Sequence, residues 1–174
     1  MPIVAGDIIT YLSGGAANAV PNASLGGIIS STAIVDAVLD NLFDNVSGAE
    51  SSAGMTDYRC LYVKNTHATL TYQAVHTWMS GQPASPGTTI TIGLDPAGNG
   101  DGSTTGVATT IANELTAPTG PTFTSPTTYA GGLVIGDLLA GEVRAIWVKR
   151  VIAAATAAAS GETLTLSFQG DTAA

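Results

Sequence analysis

Val143-Arg144-Ala145-Ile146-Trp147-Val148-Lys149-Arg150-Val151-Ile152 reads as one long β-strand. Val143, Ala145, Trp147 and Lys149 alternate against Arg144, Ile146, Val148 and Arg150, and successive side chains of a strand point to opposite faces. Upstream, Leu133 to Leu139 runs into it through Ala140-Gly141, a tight turn. The same period of two begins at Tyr58. Tyr58 to Asn65 and Ala68 to Trp78 are predicted strands joined by Thr66-His67, and so short a link makes them antiparallel neighbours. Leu70, Tyr72, Ala74, His76 and Trp78 would share one face of the second. After the breakers Gly81, Pro83 and Pro86, Thr88 to Leu94 puts Ile90, Ile92 and Leu94 on one side. Thr163 to Gln169 closes the series with Leu164, Leu166 and Phe168.

About seven short strands separated by turn signals predict an all-β fold, an antiparallel Ig-like or jelly-roll-type β-sandwich. Thr109 to Pro126, rich in Thr and Pro, suits an extended loop better than a central strand. Helical spacing occurs only between Ser31 and Ala53, where Ile34, Val35, Val38, Leu39, Leu42 and Phe43 recur three and four apart around Asp36, Asp40 and Asp44. The β-branched residues in that run also allow it to begin as a strand. Ser47 with Glu50 forms a capping-box pattern that opens a short helical turn. At most one short helix is therefore expected.

Two parts are predicted: an extended N-terminal arm over residues 1–30 and a sandwich over 31–174. The arm holds a single apolar burst, Ile8 to Leu12, then Gly14-Gly15 and Gly26-Gly27 among small polar residues. So little apolar surface does not offset the ordering cost of its backbone, roughly 1 to 2 kcal/mol per residue. Burial against neighbouring subunits would supply the difference, making Ile3, Val4, Ile8, Ile9, Leu12, Leu25, Ile28 and Ile29 the candidate interface residues.

Composition narrows the function. Only 10% of the 174 residues are charged, against the roughly 25% usual in soluble domains, and a surface so poor in charge is commonly covered by another molecule. The net charge is −8, with Arg59, Lys64, Arg144, Lys149 and Arg150 as the only bases. Too few cations exist to displace the counterions of a nucleic acid. No apolar run approaches the roughly 20 residues of a membrane-spanning helix. Cys60 is the single cysteine, so no intrachain disulfide forms.

Catalytic patterns are missing: no nucleophile elbow, phosphate loop, dinucleotide fingerprint or paired-histidine zinc motif occurs, and His67 and His76 are the only imidazoles. An enzyme and a cofactor are not expected. The stretch Asp95 to Ser103 admits two readings. Asp95, Asn99 and Asp101 on a glycine-rich loop are candidate Ca²⁺ ligands, because that ion takes about six to eight oxygens from a backbone free to curl. Asn and Asp beside Gly are also what hairpin turns require, and no glutamate sits where the helix-loop-helix calcium pattern places one. Trp78 and Trp147 invite a sugar-stacking reading, but their strand alternation places both on apolar faces, as core.

The runs Asn41-Leu42-Phe43-Asp44-Asn45-Val46-Ser47, Asp57 to Asn65, Ile92-Gly93-Leu94-Asp95, Ala112-Asn113-Glu114 with Ala117-Pro118, and Gly136-Asp137-Leu138 through Gly141 to Arg150 resemble virion structural proteins of tailed bacteriophages. The resemblance extends from about Ser13 to Asp171. It implies a non-enzymatic virion component present in many copies and assembled in the host cytoplasm. Its partners would be itself, as a homo-oligomer such as a trimer, and other virion proteins such as the major capsid protein. A head decoration or cement protein is the expected role. A tail, baseplate or neck component is the alternative, followed by a host-surface carbohydrate-binding module. The resemblance also implies that Trp147 anchors two sheets, as a tryptophan does in many Ig-like domains.

Overall fold

The computed structural model describes residues 2–96, 104–157, 159 and 161–172. Its strands are β1 (Ile8–Ser13), β2 (Ile29–Ala33), β3 (Met55–Asn65), β4 (Tyr72–Gly81), β5 (Thr88–Leu94), β6 (Leu133–Leu138), β7 (Val143–Ile152) and β8 (Thr165–Thr172), and the described residues also hold one short α-helix, α1 (Gly48–Ala53), and two single-turn 3-10 helices, Ala5–Asp7 and Pro21–Ala23. The strands form two antiparallel sheets, β2-β1-β3-β7-β5 and β6-β4-β8. The all-β sandwich expected from the alternation is what the chain adopts.

The long pairing of β3 with β7, from Met55 opposite Ile152 to Lys64 opposite Val143, forms the centre of the larger sheet. Both strands carry large apolar side chains on both faces through their middle, and both faces are buried there. On one, Leu61, Val63, Ile146 and Val148 meet Val75, Met79, Ile135 and Leu138 of the smaller sheet. On the other, Cys60, Tyr62, Ala145 and Trp147 are covered by Leu25, Ala108, Ile111 and Phe123 from two long loops. Trp147 is fully buried, as the alternation requires, but it lies in this second core and does not join the two sheets. Close approach of the covering loops demands glycine at Gly26. Its φ is +89°, and a Cβ there would lie 1.8 Å from the Thr109 carbonyl oxygen.

The Thr66-His67 link, expected to join antiparallel neighbours, and the tight turn at Ala140-Gly141 are both arches between sheets. β3 and β4 belong to different sheets, as do β6 and β7. Buried Asn65 ties both arches. Its Nδ2 donates to the carbonyls of Leu70 and Leu138, and its Oδ1 accepts from the His67 amide. Its backbone exchanges bonds with Gly141 and Glu142. An arch folds the chain over a core edge, which a two-residue hairpin cannot do; here a side chain replaces the missing ladder bonds.

A second correction concerns β4. Pairing with β6 and β8 slips between Tyr72 and His76, where Ala74 has φ +48° and its amide bonds the Asp137 carboxylate. This β-bulge inverts the facing of everything after it. Val75, Thr77 and Met79 are buried, whereas His76 and Trp78 turn to the outer face.

The helix-spaced run after Ser31 is a third. Within it only α1 is helical, opened by the anticipated capping box: the Ser47 amide donates to Glu50 Oε2 at 2.7 Å, and the Glu50 amide donates to Ser47 Oγ at 3.3 Å. The start of the run is instead β2, and residues 34–47 follow as turns with Ala37 and Asp40 at φ +58° and +57°. Left-handed backbone at two points in four residues excludes a continuous right-handed helix.

Residues 2–30 do not hang free. β1 is hydrogen-bonded between β2 and β3, and Leu12 and Ser13 are buried in the chain's own interior. The predicted arm is thus laid into the larger sheet, with β1 bridging its edge strand to its centre.

Candidate functional surface

Period two places Arg59 and Asp57 on the face of β3 that holds Leu61 and Val63, and Arg150 on the corresponding face of β7. Asp57 and Arg150 are paired across the ladder, so their side chains meet at one end of the intersheet core. Arg150 Nε and Nη2 donate to the two carboxylate oxygens of Asp57 at 3.1 and 2.6 Å. Arg59 pairs with Glu114 and lies 3.7 Å from Asp44, which is 3.6 Å from Arg150. The Phe43 ring takes the guanidiniums of Arg150 and Arg59 at 4.5 and 5.6 Å from its centroid. Burial pushes the Asp57 carboxyl above its ordinary range, while the Arg150 fork pulls it back.

Carboxylate oxygens of Asp44, Asp57 and Glu114 converge within 4.8 Å of one another, a spacing that suits a cation. Two guanidiniums already engage them. The cluster acts as an ion-pair clamp that holds the 34–47 turns and the loop around Glu114 onto β3 and β7.

Other candidate groups have structural partners. Asp95 is fully buried, and its Oδ2 accepts from Trp147 Nε1 at 2.7 Å and from the Thr109 amide at 2.9 Å. That carboxylate secures the second core. Asn99 and Asp101, the remaining calcium candidates, lie outside the described residues. Burial raises the thiol of Cys60 far above its ordinary range, which keeps it protonated. His67 Nδ1 accepts from the amides of Thr69 and Leu70 within the first arch. On the outer face of the smaller sheet, His76 stacks on Tyr129 at 4.6 Å between centroids, and Trp78 meets the same ring edge-on at 5.9 Å.

The interface candidates near the N-terminus divide. Leu12 is buried; Ile3 and Ile8 pack against the intersheet core, and Leu25 and Ile29 against the second. Ile9 is half-buried. Val4 and Ile28 remain exposed. Ile3, Val4 and Ile8 line a groove of about 360 Å³ with Tyr72 and Phe168; a second exposed apolar surface lies elsewhere. Val35, Val38 and Leu39 are 62%, 53% and 76% exposed on the turns after β2, and Val20 is exposed near them. Val35 and Val38 line a groove of about 160 Å³ together with Leu12, Pro21, Ala33 and Ile34. The three- and four-residue spacing of Val35, Val38 and Leu39 fits the apolar stripe of an amphipathic turn or two, and the β-branched residues of the same run are the signal that favours a strand start.

Fold and surface together define an all-β protein of two packed antiparallel sheets with an apolar flank beside one edge strand. Comparison with family models, with curated proteins and with solved structures gives no match to this chain.

Proposed function

We propose that the chain is a structural subunit that works by burying its surface in a larger assembly. The assembly it fits best is a tailed-phage particle, with the chain placed as a head decoration or cement protein. The observation that carries this reading is the apolar flank of Val20, Val35, Val38 and Leu39. Large aliphatic side chains over half exposed and grouped on one side mark an interaction surface, whereas scattered ones do not. The low charge content and the sequence resemblance to virion structural proteins point the same way.

Quantitative mass spectrometry of gradient-purified particles from a lysate of the encoding strain tests the proposal. Copies comparable in number with the major capsid protein support a head role. A few copies per particle move the chain to the tail, baseplate or neck, and its absence from particles overturns the reading.

The carbohydrate-module reading has one observation in its favour, the outward turn of Trp78 beside His76 and Tyr129. If that cluster binds sugar, retention on a glycan array is lost in Trp78→Ala; no retention of the unsubstituted chain eliminates it.

A further inference from the structure

The flank around the groove carries a charge pattern that selects its occupant. Residues 1–58 contain no Lys, Arg or His, and their ionisable side chains besides tyrosine are Asp7, Asp36, Asp40, Asp44, Glu50 and Asp57. Asp36 lies between the exposed Val35 and Val38, and Asp40 follows Leu39; both carboxylate residues are exposed. Arg59 and Arg150 reach this flank from β3 and β7, but their guanidiniums are buried in the clamp. The clamp sets two cations against Asp44, Asp57 and Glu114, so it leaves the flank negative.

A second copy of the chain is a poor occupant. Of its five cations, Arg59 and Arg150 are held in the clamp, Lys149 lies over the Phe123 ring at 5.9 Å, and Lys64 and Arg144 are half-buried on the central strands β3 and β7. Face-to-face pairing of two such flanks would set Asp36 and Asp40 against their own kind, which is repulsive. We infer that the groove beside β2 docks a segment of a different protein, one that alternates aliphatic side chains with Lys or Arg. Aliphatic groups of that segment bury against Val35 and Val38 in the groove and against the exposed Leu39 that follows Val38, and its cations meet the exposed Asp36 and Asp40. This inference rests on the assembly reading and gives it a partner chemistry.

The test uses the intact chain, labelled with ¹⁵N, and two synthetic peptides of equal length, one alternating Leu with Lys and one alternating Leu with Glu. The Lys peptide is expected to shift the amide resonances of residues 32–41, with an affinity that falls as salt rises. Val38→Ser with Leu39→Ser should weaken it by about tenfold or more, since two apolar contacts are lost. Asp36→Asn with Asp40→Asn should flatten the salt dependence while leaving the fold intact. Equal binding of the Glu peptide, shifts confined to another face, or binding indifferent to these substitutions overturns the inference. Dimerisation through residues 32–41 in sedimentation also overturns it. Failure here combined with many copies in purified particles removes the basic partner and keeps the structural role; the opposite pair of results keeps the docking site and removes the particle.

Discussion

At the centre of the larger sheet β3 and β7 bury their side chains on both faces, whereas along its β2 flank Val35, Val38 and Leu39 stand in solvent. Both regions are rich in aliphatic residues. They differ in what the backbone permits. Ten paired positions hold β3 against β7 and present each side chain to a waiting layer. After β2 the chain turns twice through left-handed conformations, which points three large side chains away from either core. Core positions are expected to govern stability and flank positions to govern association.

The largest effect expected from this contrast is that of deleting residues 1–30. β1 bridges β2 to β3 and contributes Leu12 to the interior, so the deletion removes a sheet strand rather than a loose arm. The loss should exceed the roughly 5–15 kcal/mol by which a domain is stable, leaving an insoluble or unfolded chain. A cooperative melt of the truncated protein would return those residues to the status of an arm.

Next comes Trp147→Ala. Truncating a buried tryptophan costs about 3–5 kcal/mol, and here it also removes the indole donor to Asp95. Urea unfolding should show a large fall in midpoint, together with exposure of the second core. An unchanged midpoint would mean that the two long loops, and not the indole, hold that core together.

Arg150→Met separates charge from packing at the clamp. Removing one partner of a buried ion pair costs about 3–5 kcal/mol, because the other charge is left without compensation. Asp57 is already raised above its ordinary value of 3.8 by burial, and loss of the guanidinium removes two influences that lower it. The folded state of the variant therefore binds a proton more tightly than the unfolded state does. Its stability should rise as pH falls through the raised folded value toward 3.8, and decline again above it. Chemical denaturation at a series of pH values checks the sign; a variant that weakens steadily with acid would show Asp57 to be compensated by Arg59 alone.

The paired strands were legible because alternation is local: Val143 to Ile152 and Tyr58 to Asn65 declare their faces residue by residue. Which sheet each strand joins was not. The Thr66-His67 link looks like a hairpin until Asn65 is seen bonding Leu70 and Leu138 across two arches. The facing of Trp78 depended on a bulge at Ala74 that no glycine announces. The clamp draws on residues 43, 44, 57, 59, 114 and 150, so only folding brings it together. The apolar flank was hidden for a different reason. Its spacing of three and four is that of an amphipathic helix, and only tertiary context shows that Leu42 and Phe43 pack while Val38 and Leu39 do not.

The smallest effect on stability is expected from Val38→Ser with Leu39→Ser. Both side chains are more than half exposed, so they bury little apolar area on folding of the chain itself. Exposed substitutions away from caps and buried networks usually fall within about ±0.5 kcal/mol each. The melting temperature of the double variant should therefore stay close to that of the unsubstituted chain, in contrast to the collapse expected for Trp147→Ala. Should the variant instead lose several degrees, the two side chains contribute to the chain's own packing, and the flank is a poorly covered edge of the intersheet core. An unchanged melt with undiminished incorporation into particles would take a different toll: the core would keep its role and the flank would lose its claim to be the contact surface. Unchanged melting with lost incorporation is the outcome that the contrast between centre and flank requires.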